Sequence, residues 1–233
     1  MKNLKKQVII SKDAPDEAKE KLENMGYSIV ESFRMKTVSP SIACHPDMQI
    51  VKAGDKWVCC PEAYEYYKKY LPSYKIIMGK TCLNSLYPED IAYNVAVTSV
   101  FAIHNFKYTD DEFIKNCPYE RINVSQGYSK CNLCIVGDNA FITSDRGMYN
   151  ELIKHECDVL LISPREILLP GYDYGFIGGA SGLLDKNTLA FCGDVYKHSD
   201  GDRIAEFCKK HGVEIICLTD KELVDIGTII PIG

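Results

Sequence analysis

A four-part pattern of strand, strand, helix and strand recurs along this chain, and it limits the fold more than any other feature. A unit of that size cannot bury its own apolar face, so neighbouring units must cover one another. Residues 48–58 (MQIVKAGDKWV) read as two short strands around the turn Ala53-Gly54-Asp55. The spacing then predicts a helix from Pro61 to Tyr70, with Pro61 suited to its first turn, and a strand at 75–78 (KIIM). A second unit takes one long or two short strands from 91–103, a helix start at Thr109-Asp110-Asp111-Glu112, and a strand at 120–124. A third has two strands in 133–143 around Gly137-Asp138-Asn139, then the helix GMYNELIKH and the strand DVLLI. A fourth has the strands GFIGGASGLL and TLAFCGDV, the helix DRIAEFCKKHG closed at Gly212, and the strand EIICL.

The fifth unit is split between the termini. Residues 7–10 supply a strand, Asp16 to Asn24 a helix closed by Gly26, and YSIVESF another strand. Its missing first strand is expected in DIGTIIPI at the far end of the chain. Five units over 233 residues give about 47 residues each, within the usual range of repeats. The expected fold is therefore a pseudo-five-fold α/β propeller of ββαβ units, one domain over 1–233, closed by the C-terminal strand. Closure removes free sheet edges. The plain alternative is an ordinary α+β domain.

Composition narrows the class of function. With 25% charged residues and a net charge of −5, the chain has no basic footprint for nucleic acid. No apolar run approaches the ~20 residues of a membrane span. The N-terminal apolar run Val8-Ile9-Ile10 is too short for a signal peptide, so a cytoplasmic protein is expected. Eleven cysteines then read as buried thiols, metal ligands or a nucleophile rather than a disulfide framework.

Four short motifs fall at informative places in the repeats. His45-Pro46-Asp47 opens a strand in HPDMQIV, and Gly127-Tyr128-Ser129-Lys130-Cys131 precedes NLCIV two units later. Phe191-Cys192-Gly193-Asp194 ends a strand, and Asp225 precedes another in LVDIGTII. Together with the five ββαβ units, these motifs resemble the pentein, or guanidino-modifying enzyme, superfamily. That group includes dimethylarginine dimethylaminohydrolases, arginine and agmatine deiminases, and amidinotransferases. The segment PEDIAYNVA at 88–96 is similar to a non-catalytic strand of the dimethylarginine hydrolases. The motif order differs: the Phe-x-x-Asp and acidic motifs follow His-x-Asp here, as in a circular permutation. The chain also departs from the family pattern in its reduced glycine loop, in Lys130 beside the cysteine, and in lacking a residue that announces itself as a carboxylate clamp.

The resemblance implies a cysteine-dependent amidinohydrolase, deiminase or amidinotransferase acting on a small cationic guanidino or amidino ligand, without a cofactor. A guanidinium needs carboxylates that accept in pairs within a dry pocket, and Asp47, Asp194 and Asp225 are the candidates. Cys131 would attack the central carbon to form a thiouronium, and His45 would protonate the departing amine and then activate water. Lys130 would assist substrate binding and favour the thiolate.

Each residue also has a structural reading: a buried thiol for Cys131, a loop histidine for His45, a turn cap for Asp47, and solvated strand ends for Asp194 and Asp225. A non-catalytic or degenerate binding protein of the same fold is the alternative function. Cys131-x-x-Cys134 is half a metal site at most. The glycine run 175–182 leads into a strand, so close backbone packing explains it better than a phosphate loop. His198 is the next candidate proton carrier and Cys134 the next nucleophile. Substrate and oligomeric state, monomer or homodimer, stay open.

Overall fold

The chain begins its described course with β1 (Gln7–Ile10), and the computed structural model describes residues 6–232. Helix α1 (Asp16–Asn24) follows, buries Ala18 and Leu22, and carries Asp16 and Glu17 in its first turn, where acidic side chains offset exposed N–H groups. Gly26, at φ 90°, then turns the chain into β2 (Ser28–Glu31).

The next unit contains β3 (Ile50–Ala53), β4 (Lys56–Cys59), α2 (Tyr64–Tyr70) and β5 (Lys75–Met78). It is followed by β6 (Ala96–Val97), β7 (Phe101–His104), α3 (Asp111–Asn116) and β8 (Glu120–Asn123). A one-turn helix, α4 (Ser129–Asn132), precedes β9 (Cys134–Gly137), β10 (Ala140–Thr143), α5 (Arg146–Leu152) and β11 (Asp158–Leu161). The last full unit has β12 (Ser181–Asp185), β13 (Thr188–Phe191), α6 (Gly201–Lys210) and β14 (Glu214–Cys217), and β15 (Ile230–Ile232) ends the described chain.

The helices start and pack for local reasons. Asp110 caps α3 by accepting from the Glu112 N–H at 2.9 Å, and Asp145 caps α5 by accepting from Met148 N–H at 2.9 Å. Helix α6 buries Ile204, Phe207 and Cys208, three to four residues apart on one face.

Among the described residues the strands form five three-stranded sheets. In each, the middle strand runs antiparallel to the first and parallel to the third, as β4 does between β3 and β5. The split unit obeys the same rule: β1 pairs antiparallel with β15, Gln7 opposite Ile232, and parallel with β2. The C-terminal strand therefore lies beside the N-terminal unit, as its apolar pattern predicts. One cavity of about 470 Å³ is lined by the first strand of every sheet, including Ile50, Val97, Ile135, Leu183 and Ile230. No helix among the described residues is long and apolar enough to cross a membrane.

Three expected strands are shorter than the pattern suggests. Residues 91–94 form a turn, closed by Asn94 N–H on the Ile91 carbonyl at 2.9 Å, so β6 is only two residues long. The glycine run forms strand only from Ser181, because its earlier part is pressed against neighbours. A Cβ on Gly178 would overlap the Lys130 carbonyl, and one on Gly179 the Asp225 carboxylate. The close-packing reading of these glycines holds. In DIGTIIPI, Gly227 (φ 71°) and Thr228 (φ 75°) make a left-handed turn that delays β15 to Ile230.

Candidate functional site

The candidate nucleophile sits where two loops and a one-turn helix meet. The first-turn N–H groups of α4 lack partners within so short a helix. Asn94 supplies one from the neighbouring loop: its Oδ1 accepts from Lys130 N–H at 2.8 Å and Cys131 N–H at 3.2 Å. Those two donors fix the amide orientation, and its Nδ2 is left facing Cys131 Sγ at 3.2 Å. Asn94 is fully buried. Its segment, 88–96, resembles a non-catalytic strand, and no spacing pattern marks an asparagine for this work.

Around Cys131 the structure gathers the His-x-Asp motif. The candidate atoms of His45, Asp47 and Cys131 all lie within 4.8 Å of one another. Cys131 Sγ donates to Asp47 Oδ2 at 3.1 Å. His45 Nδ1 is 3.7 Å from Asp225 Oδ1, too long for a hydrogen bond, and has no hydrogen-bond partner. Asp225 is held by the N–H groups of Gly227 at 3.0 Å and Phe176 at 2.9 Å. Gly227 is required because a Cβ there would strike the His45 ring.

Cys131, His45 and Asp225 open onto a cavity of about 220 Å³ whose walls include Tyr128, Tyr174 and Phe176. Aromatic faces with a carboxylate at the base attract a small organic cation. Tyr128 is itself pinned by its O–H on Asp90 at 2.5 Å.

The electrostatics of the unliganded site favour neutral groups. Burial pushes the Cys131 thiol well above its ordinary range, and the Asp47 and Asp225 charges add to that. Burial also raises Asp47, a shift that a protonated His45 would oppose, and raises Asp225 to about 6 against its two backbone hydrogen bonds. His45 is lowered by burial, which outweighs the pull of Asp47, so its ring is neutral at pH 7.

Three expected site residues, Asp47, Asp194 and Lys130, do not line this cavity. Asp194 follows Gly193 (φ 133°) and is turned outward to cap the next 3-10 turn, where its Oδ1 accepts from Tyr196 N–H at 3.0 Å. The expected convergence of Asp47, Asp194 and Asp225 on one cavity does not occur: Asp225 lines the cavity beside Cys131, Asp47 lines the larger cavity between the sheets, and Asp194 lines neither. Lys130 precedes Cys131 on α4, and successive helical residues leave about 100° apart. Lys130 lines the larger cavity between the sheets, with Asp47 and Thr228, and not the cavity beside Cys131. Cys134 lies on β9 in a separate apolar cluster with Ile162, Phe191 and Ile204, apart from the cluster that contains Cys131. His198 is buried, and its Nδ1 accepts from Asp200 N–H at 3.0 Å.

The model of a family of unknown function, DUF6873, matches residues 9–230. None of the curated proteins matches the chain. Among solved structures, a cysteine-to-serine mutant of DDAH from Pseudomonas aeruginosa, complexed with citrulline, is 9% identical with a TM-score of 0.56 and covers 93% of this chain and 92% of its own. The C. jejuni agmatine deiminase is 10% identical with a TM-score of 0.54, covering 92% of this chain and 87% of its own. A dimethylarginine dimethylaminohydrolase adduct with S-methyl-L-thiocitrulline is 11% identical with a TM-score of 0.56, covering 93% of both chains. The chain has the fold of the pentein, or guanidino-modifying enzyme, superfamily.

Proposed function

The chain belongs to the DUF6873 family, and we propose that it is a guanidino-modifying enzyme of the amidinohydrolase or deiminase type. One observation carries this reading: a thiol, an imidazole and a carboxylate lie within 4.8 Å of one another beside an aromatic cavity with a second carboxylate, Asp225. A guanidinium entering that cavity brings a positive charge beside Cys131 and Asp225. The cation lowers the cost of the thiolate, so the substrate favours the ionised form that attacks it.

In the proposed reaction, Cys131 Sγ bonds to the guanidino carbon and loses its proton. Neutral His45 carries that proton to the departing nitrogen, and Asp47 and Asp225 stabilise the transient imidazolium. Amine leaves and a thiouronium remains on Cys131. His45 then takes a proton from water, whose oxygen adds to the same carbon. Collapse breaks the C–S bond, returns the proton to sulfur, and yields a urea-type product. The five sheets are read as one closed ring with the large cavity at its axis. Support comes from the lining of that cavity by the first strand of each sheet and from the β1–β15 pairing.

A second reading, a cation-binding protein without turnover, is favoured by the outward position of Asp194 and by the strongly raised thiol. One experiment separates the two. Intact-mass spectrometry is run on the protein with a haloacetamidine and with a panel of guanidino compounds, with urea and amine products assayed in parallel. The enzyme reading expects an adduct on Cys131 and product from at least one compound, both lost in Cys131→Ser. Protein that forms neither belongs to the second reading.

A further inference from the structure

The Cys131 site is connected to the larger cavity by a continuous hydrogen-bonded chain. Lys130 Nζ donates to Thr228 Oγ1 at 3.2 Å. Thr228 Oγ1 lies 2.9 Å from Asp47 Oδ2 and 2.8 Å from the Gly178 carbonyl. Asp47 Oδ2 in turn accepts from Cys131 Sγ at 3.1 Å. Asp47 lines the larger cavity, and its Oδ2 links the Thr228 hydroxyl to the thiol that lines the smaller one.

The backbone is bent to build this chain. Thr228 is β-branched yet holds φ 75°, a region such residues rarely occupy. Its N–H is secured on the Gly179 carbonyl at 2.8 Å. A left-handed threonine held by its neighbours is the kind of outlier that marks a functional constraint. Asp47 Oδ1 has no partner, so every hydrogen bond to this carboxylate reaches Oδ2.

We infer that Lys130 and Thr228 are positioning residues that act on Cys131 through Asp47, from the larger cavity. The inference rests on the reading of Cys131 as the nucleophile. The Lys130 ammonium, linked through the Thr228 hydroxyl, opposes the burial that raises Asp47 and so favours its anionic form, with Oδ2 against the thiol. The thiol and carboxylate then share one proton and titrate as a pair. The charged and titratable groups that face the pair are His45 from the 45–48 loop, Asp225 from the loop before β15, and Lys130 from α4. Cys134, on β9, faces Lys130 from its other side. Burial lowers the Lys130 ammonium as it lowers His45, but the neighbouring Asp47 opposes that shift most, so Lys130 and Asp47 favour each other's charged forms. Without Lys130 the first proton leaves the pair with no nearby positive charge, so it leaves at higher pH.

The test needs no substrate. Full-length protein is alkylated with iodoacetamide from about pH 6 to 10, and labelling is read cysteine by cysteine by peptide mass. Exposed Cys82 serves as the internal reference. Across this window the Cys131 rate follows its thiolate fraction; relative to wild type, Lys130→Met and Thr228→Val are each expected to slow Cys131 labelling about tenfold at each pH, equivalent to raising its midpoint by about one pH unit. Lys130→Arg and Thr228→Ser should restore most of the shift, and the Cys82 rate should not move. The double variant should rise no further than Lys130→Met alone, because the two act in series. Superimposed profiles for the single variants overturn the inference. Additive shifts also overturn it, since Lys130 would then act through space rather than through Thr228. Melting temperatures confirm folding of each variant. If midpoints shift while no guanidino compound gives adduct or product, the proposed function fails and the Lys130–Thr228 connection stands. If adducts form and midpoints do not move, the connection alone fails.

Discussion

Asp225 should make this protein less stable as pH rises through weakly acidic values, against the behaviour of most carboxylates. Burial raises its pKa from 3.8 to about 6 in the folded chain. The folded state therefore holds the proton more tightly than the unfolded state. The resulting penalty is absent below about pH 3.8 and complete above about pH 6, where it reaches about 3 kcal/mol. Between pH 5 and 7.5 the linkage relation gives a loss of about 1.4 kcal/mol. His45 and His104, both lowered by burial, contribute the opposite slope, and they are common to wild type and variant. The assay is urea unfolding of wild type and Asp225→Asn at several pH values, with the difference between the two plotted against pH. The asparagine loses one of the acceptors now used by Gly227 and Phe176 N–H, which adds an offset independent of pH. On top of that offset, the variant should gain about 1.4 kcal/mol over wild type from pH 5 to 7.5. A flat difference would mean that Asp225 is not buried as a strained anion, and the electrostatic account of the cavity would fail with it.

Other outcomes follow from the same geometry. A small alkylguanidinium at about 100 times its Kd should stabilise the fold by about 2.7 kcal/mol, some 5–10 °C in Tm, and a matched neutral urea should do much less; equal shifts would refute the charge argument. Gly179→Ala places a Cβ against the Asp225 carboxylate and should cost about 1–3 kcal/mol in urea unfolding, so an unchanged midpoint would contradict the packing described for residues 175–182. Asn94→Ala leaves the Lys130 and Cys131 N–H groups unpaired in the interior, at about 1–3 kcal/mol each, and removes a donor from the thiol; it should lower Tm and slow Cys131 alkylation together.

Much of the architecture was legible in the chain because its determinants are local. Alternating apolar residues, the turn at Gly54, the cap at Asp110 and the glycines at 26 and 212 act over a few residues, so their signals survive without tertiary context. The split fifth unit was readable for the same reason: DIGTIIPI is strand-like wherever it lies, and no other unit lacked a first strand. The His-x-Asp and cysteine motifs likewise fell two units apart, and the fold brings their side chains within 4.8 Å.

Tertiary structure decided what depends on direction and distance. Asp194 was as plausible a ligand as Asp225 in letters, but the rotation at Gly193 sends one carboxylate outward while two N–H groups hold the other inside. Lys130 adjoins Cys131 in sequence, yet it lines a different cavity. Asn94 and Thr228 carry no pattern at all, because an amide or hydroxyl gains its role only from partners remote in the chain: Asn94 from α4 some 36 residues on, Thr228 from Asp47 across 181 residues. Local sequence specifies the repeating elements through short-range backbone preferences; the charge state and orientation of each group in the site come from long-range packing, which no single stretch of the chain encodes.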